Sequence, residues 1–163
     1  MKYKIVNLDT TLIVGKEQPL NFMDPTAPKK IDEFWGEFFA NNTPEAIPNI
    51  IQPMTSLGIY TNYDKTANYS IIIGCPVSSF DNSLNNPHPD LIKFTIPAAK
   101  YAVFTVTGPF PKTIANFWTD LWSNLLTNKN NLNFERAFTI DFELYDARYL
   151  SEKPEIDIYI AIK

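Results

Sequence analysis

One cysteine, one histidine, no basic run and no long apolar stretch set the first boundaries on this chain of 163 residues. A lone cysteine, Cys75, excludes an internal disulfide. With one histidine, the chain is poor material for a Cys/His zinc site or a Ser-His-Asp triad. That histidine, His88, falls in "NNPHPD" and reads as a solvated loop residue. The net charge is −4, with no clustering of Lys and Arg, which argues against a nucleic-acid surface. No segment is apolar for long enough to span a membrane. The opening "MKYKIVNLDTTLIVGKEQPL" is interrupted by Asn7, Asp9 and Lys16, unlike a signal peptide. The expectation is a cytoplasmic protein without cofactor or metal, touching neither nucleic acid nor membrane.

What the chain does have is aromatic residues, 14% of the total, within a hydrophobic content of 45%. Such a content supports one packed domain. The aromatic surplus fits either an aromatic-heavy core or an aromatic-lined cleft.

The chain also repeats itself. "IDEFWGEFF" places apolar residues at Ile31, Phe34, Trp35, Phe38 and Phe39, and "IANFWTDLW" places them at Ile114, Phe117, Trp118, Leu121 and Trp122. Both follow the spacing of an amphipathic helix, and all five slots recur at one constant offset. Pro28 and Pro111 precede the two patterns and suit helix starts. Before each helix runs a strand-like segment, "YKIVNLDTTLIVG" and "KYAVFTVTG". After each come two more: "LGIYTNYD" with "NYSIIIGCPV", then "TIDFELYD" with "EIDIYIAIK". The predicted architecture is α+β: a tandem βαββ repeat with pseudo-twofold symmetry, an antiparallel sheet, two main helices on one face, and a groove between the repeats. The first repeat covers about 1–77 and the second about 91–163. The linker is 78–90, rich in Asn, Pro and Ser.

Strand alternation predicts which residues share a face. Ile156, Ile158, Ile160 and Ile162 form a row suited to the helices, leaving Tyr159 on the other side. By the same logic Phe142 and Leu144 should face the helices, with Asp141, Glu143 and Tyr145 away from them. The helix offset equates Tyr60 with Glu143, and a loop-length change equates Ile72 with Tyr159. The face away from the helices would then carry Tyr60, Ile72, Tyr145, Tyr159 and Glu143, an aromatic surface with a carboxylate that suits an amphipathic or cationic ligand. Equally consistent with the pattern, Glu143 pairs with Lys163 or Arg148 on a neighbouring strand. Asp141, nearer the strand start, reads as solvated.

Five segments, "LGIYTNYD", "IPAAKYAVFTVTGPF", "FWTDLW", "DFELYD" and "IYIAIK", resemble the GyrI-like small-molecule-binding family over nearly the whole chain. This is the effector-binding domain of many AraC-type and MerR-type transcription regulators. The resemblance implies a groove that takes small molecules, bulky lipophilic cations among them. It also implies that Glu143 meets the cation, with Tyr60 and Tyr159 on groove-lining strands and Trp118 at the family's helix tryptophan, a position that helical spacing alone assigns to the core. Two departures bear on ligand identity: Ala99 stands where members often have Gly, and Val106 where many have His. The regulators of this family carry a DNA-reading region before the domain, whereas here a complete unit starts near residue 2, which implies a stand-alone member.

The leading function is therefore binding of an amphipathic, lipophilic or cationic small molecule. The alternative is hydrolysis of an electrophilic, cyclopropane-bearing toxin, with Glu143 as general base and Tyr60 or Tyr145 stabilising the developing charge. A third reading is a protein partner of gyrase type. Of the three, binding needs the fewest catalytic groups, and no group beyond Glu143 is evident for chemistry.

Overall fold

Eight strands alternate with two long helices in the computed structural model, which describes residues 1–81, 88–127 and 132–163. The elements are β1 (Lys4–Leu8), β2 (Thr11–Asn21), α1 (Ala27–Ala40), a one-turn α2 (Thr43–Ala46), β3 (Ser56–Thr61), β4 (Asn68–Val77), β5 (Ile92–Ile96), β6 (Ala99–Thr107), α3 (Lys112–Thr127), β7 (Asp141–Tyr145) and β8 (Glu155–Ala161). A 3-10 turn, Ala147–Leu150, links the last two strands. Pro28 lies in the first turn of α1, where its missing N–H is not needed. Among the described residues no helix is long and apolar enough to cross a membrane.

All strand pairs are antiparallel, in the order β1-β6-β8-β7-β3-β4-β2-β5. In the middle, β3 pairs with β7, with Gly58 opposite Glu143, Ile59 opposite Phe142 and Tyr60 opposite Asp141. The shift that carries Ile31 to Ile114 also carries Gly58 to Asp141 and Tyr60 to Glu143, so it maps this ladder onto itself. Any twofold relation between the halves therefore passes through the Ile59–Phe142 pair.

The flanking strands depart from the expected pattern. The run "YKIVNLDTTLIVG" is two strands, broken at Asp9 and Thr10, and β5 is a further strand not anticipated. β1 pairs with β6, whereas β5 pairs with β2, so each short strand is added to the other half's sheet. This exchange bends the sheet. Six strand spacings separate β1 from β2, roughly 29 Å if flat. Their two-residue connection reaches only about 11 Å. The sheet must curl until its edges approach, and the Pro97–Ala98 link between β5 and β6 imposes the same constraint.

Curling gives the sheet two buried faces. Phe34 and Phe38 of α1 pack on Val14, Ile71 and Ile73 of the sheet; Phe117 and Leu121 of α3 pack on Phe104, Ile156, Ile158 and Ile160. The face turned from the helices is a third core, to which all eight strands contribute, including Ile13, Ile59, Ile72, Ile96, Tyr101 and Phe142. This overturns one expectation. Residues directly opposite each other on paired strands share a face, and Glu143 is opposite Ile158, which packs under α3. Asp141, Glu143 and Tyr145 therefore lie on the helix side, and Phe142 and Leu144 face the inner core. An apolar row does not mark the helix side of a sheet when both sides are buried.

Candidate functional site

Glu143 sits in the seam between α1 and α3. Its cross-strand partner is Gly58, where a Cβ would come within 2.9 Å of Trp35 and 3.5 Å of Glu143 Oε2. The missing side chain is what lets the Trp35 indole lie against the sheet beside the carboxylate. The Glu143 carboxylate is 2% exposed and accepts three hydrogen bonds. Trp118 Nε1 donates to Oε1 at 2.8 Å, Tyr60 OH to Oε1 at 3.2 Å, and Tyr145 OH to Oε2 at 2.8 Å. Every donor is neutral. The alternative ion pairs do not form: Arg148 binds Asp146, Glu155 and Asp157, and Lys163 binds Glu135. Burial pushes the Glu143 carboxyl above its usual range, with the three hydrogen bonds pulling the other way. Burial, and then the Glu143 charge, pushes the Tyr60 and Tyr145 phenols well up, so both remain donors.

Two cavities flank this carboxylate. The larger, about 800 Å³, is bounded by Trp35, Gly36 and Phe39 of α1, Ser56 and Cys75 of the sheet, and Phe110, Ile114, Tyr145, Tyr149 and Leu150. Its rim exposes apolar side chains, Phe39, Met54 and Leu150 among them. Asp32, Glu45 and Asp146 stand at its wall with no Lys or Arg among the described residues, although Asp146 is bound to Arg148. Trp35 and Tyr145, with ring centroids 5.0 Å apart, stand between this cavity and Glu143. The smaller cavity, about 160 Å³, is lined by Phe22, Ile31, Tyr60, Tyr63, Tyr69, Trp118, Trp122 and Arg136. The helix offset exchanges the two sets: Trp35 with Trp118, Phe39 with Trp122, Ile114 with Ile31. Glu143 thus separates two related cavities, with Oε1 bonded on the smaller side and Oε2 on the larger.

Of the residues expected to form the site, Glu143, Tyr60, Tyr145 and Trp118 converge. Trp118 is half-buried, a wall of the smaller cavity and not interior core. Tyr159 and Ile72 lie on the opposite face. Tyr159 stacks on Phe142 at 4.4 Å, and Ile72 is 1% exposed in the same inner core. The register explains this, because Ile72, Ile59, Phe142 and Tyr159 form one row across four strands. Asp141 is not solvated: it is fully buried, accepting from Arg136 Nη2 at 2.5 Å, Tyr63 OH at 2.7 Å and the Ala161 backbone N–H at 2.9 Å. Trp35, Gly58, Tyr63 and Arg136 were not anticipated. For Trp35 the signal was present, since it occupies the helix slot of Trp118.

The fold is thus an antiparallel sheet carrying two long helices, with aromatic cavities on either side of a buried acidic side chain. Residues 4–162 match the family described as Cass2, integron-associated effector binding protein, and the chain belongs to that family. It is 36% identical over 90 residues to the transcriptional regulator BrlR of Pseudomonas aeruginosa, a match covering 53% of this chain and 32% of BrlR. The chain thus matches about a third of that relative's length. Among solved structures it resembles an integron cassette protein from the mobile metagenome of Vibrio cholerae, at 24% identity and TM-score 0.71, covering 99% of this chain and 95% of that one. It also resembles SAV2435 bound to tetraphenylphosphonium, at 21% identity and TM-score 0.77, covering 100% of this chain and 94% of that one.

Proposed function

We propose that this protein binds an amphipathic, lipophilic cation in the larger cavity, with Glu143 as the charge that receives it. The observation that carries this reading is the Glu143 carboxylate itself: buried, held by three neutral donors, and without a cation among the described residues. Neutral hydrogen bonds stabilise the anion but do not cancel its field, which acts strongly in a cleft of low dielectric. Trp35 and Tyr145 line the cavity, and a cation over an aromatic face gains about 0.5 to 2 kcal/mol depending on desolvation. Tyr145 lines the cavity and donates to Glu143, so it couples a bound cation to the carboxylate. The apolar lining would cover the body of the ligand. We read the chain as two βαββ units, about 1–77 and about 91–163, whose seam forms the cleft, and its location as cytoplasmic.

Tetraphenylphosphonium, bound by a protein of the same fold, is the probe of choice. Calorimetric titration, with tryptophan fluorescence as a second readout, should show one-to-one binding that weakens at least tenfold in Glu143→Gln. No binding by the parent protein, or equal binding by the variant, overturns the reading.

A further inference from the structure

The smaller cavity has a chemistry of its own. Its walls are Ile31 and the rings of Phe22, Tyr60, Tyr63, Tyr69, Trp118 and Trp122, and among the described residues one charged side chain, Arg136, reaches it. Arg136 is 3% exposed. Its Nη2 is bound to Asp141, but Nε and Nη1 are buried without an acceptor among the described residues. The guanidinium carbon lies 4.6 Å from the centre of the Trp122 ring and 4.4 Å from that of Phe138. Buried N–H groups normally find partners, because leaving one unmet forfeits its hydration with nothing in return. Here several are gathered at one aromatic cavity whose edge residue Phe22 is 50% exposed and stacks on Tyr69.

We propose that this cavity is a second ligand subsite, for a compact neutral aromatic molecule carrying a hydrogen-bond acceptor that Arg136 receives. Size sets the ring: at about 160 Å³ the space matches an apolar cavity that admits one benzene-sized molecule. Charge sets the substituent. Arg136 is neutralised by Asp141, and Glu143 adds a negative charge behind Trp118 and Tyr60, so a carboxylate would meet net repulsion. A carbonyl oxygen, by contrast, satisfies an unmet N–H without bringing charge. The subsite stands on the Arg136 geometry and holds whether or not the larger cavity takes a cation.

Benzamide, toluene and benzoate are the probes, with the indole N–H signal of Trp122 in nitrogen-resolved NMR spectra as readout. Benzamide should shift that signal saturably and bind at least fivefold tighter than toluene or benzoate. Ile31→Phe, which fills the cavity, should abolish the shift. Phe22→Ala, an exposed position that leaves the fold intact, should weaken it severalfold. Tetraphenylphosphonium binding should be unchanged in both. Absence of a saturable shift, equal affinity for toluene or benzoate, or benzamide binding that survives both substitutions overturns the subsite.

Discussion

Asp141 and Glu143 are two residues apart on one strand, on one face, and both are buried, yet they are held in opposite ways. Asp141 has a cation, Arg136, as well as a tyrosine and a backbone N–H. Glu143 has two tyrosines and a tryptophan, and no cation among the described residues. The first carboxylate is electrically complete within the chain and belongs to the fold. The second is geometrically fixed but electrically incomplete. The contrast separates two meanings of a buried acid: what matters is whether the chain itself supplies the opposite charge.

The sharpest way to break this comparison is to remove each charge in turn and measure stability. Asp141→Asn leaves Arg136 buried without its counter-charge, and removing one member of a buried pair costs about 3–5 kcal/mol. Glu143→Gln removes an unpaired buried charge while keeping an acceptor for Trp118 or the tyrosines. Its stability should lie within about 1 kcal/mol of the parent. Urea denaturation with a common m-value checks both. Equal losses would mean that Glu143 is as structural as Asp141.

Much of the frame was legible in the residues. The five-slot repeat located α1 and α3, and its offset proved to be that of the central ladder, because helix slots and strand partners answer to the same packing. The side on which Glu143 falls was not legible. Alternation reports that two faces differ, and it names neither when the sheet curls around an inner core as apolar as the helix side. The curl comes from β1 and β5 crossing to the other half, a pairing that is non-local and leaves no local pattern. Arg136 was likewise silent. Nothing in "NFERAF" marks its arginine as buried, since the partner that makes burial tolerable is set by tertiary contact. Gly58 could be read only once its cross-strand neighbour was known.

A second test uses pH. The folded-state pKa of Glu143 is raised above its ordinary value near 4.5 by burial. An acid whose pKa is raised by folding binds more protons in the native state, so its effect on stability is most favourable below the unfolded value. That benefit declines as pH rises through the window up to the folded value. Affinity for a lipophilic cation runs the other way: it is full above the folded value and falls as pH drops through it. Tetraphenylphosphonium titrations across this window should therefore show binding improving while this contribution to stability weakens. Glu143→Gln should flatten both trends. A pH profile for binding unchanged in the variant would assign the effect to another group.

The smallest effect distinguishes the two carboxylates most finely, because it removes a single hydroxyl from each. Tyr145→Phe keeps the ring that lines the larger cavity but deletes the hydrogen bond to Glu143 Oε2. The remaining donors, Trp118 and Tyr60, both act on Oε1, so Oε2 loses its hydrogen-bond donor and the anion is less well stabilised. The pH midpoint for cation binding should move up by about half a unit, equivalent to about 0.7 kcal/mol. Tyr63→Phe deletes the corresponding hydroxyl from Asp141 Oδ2, but Arg136 still binds that oxygen. Its midpoint for cation binding should not move. A carboxylate without a built-in cation depends on each of its neutral donors, and a matching shift in Tyr63→Phe would show that the two acids act as one coupled site.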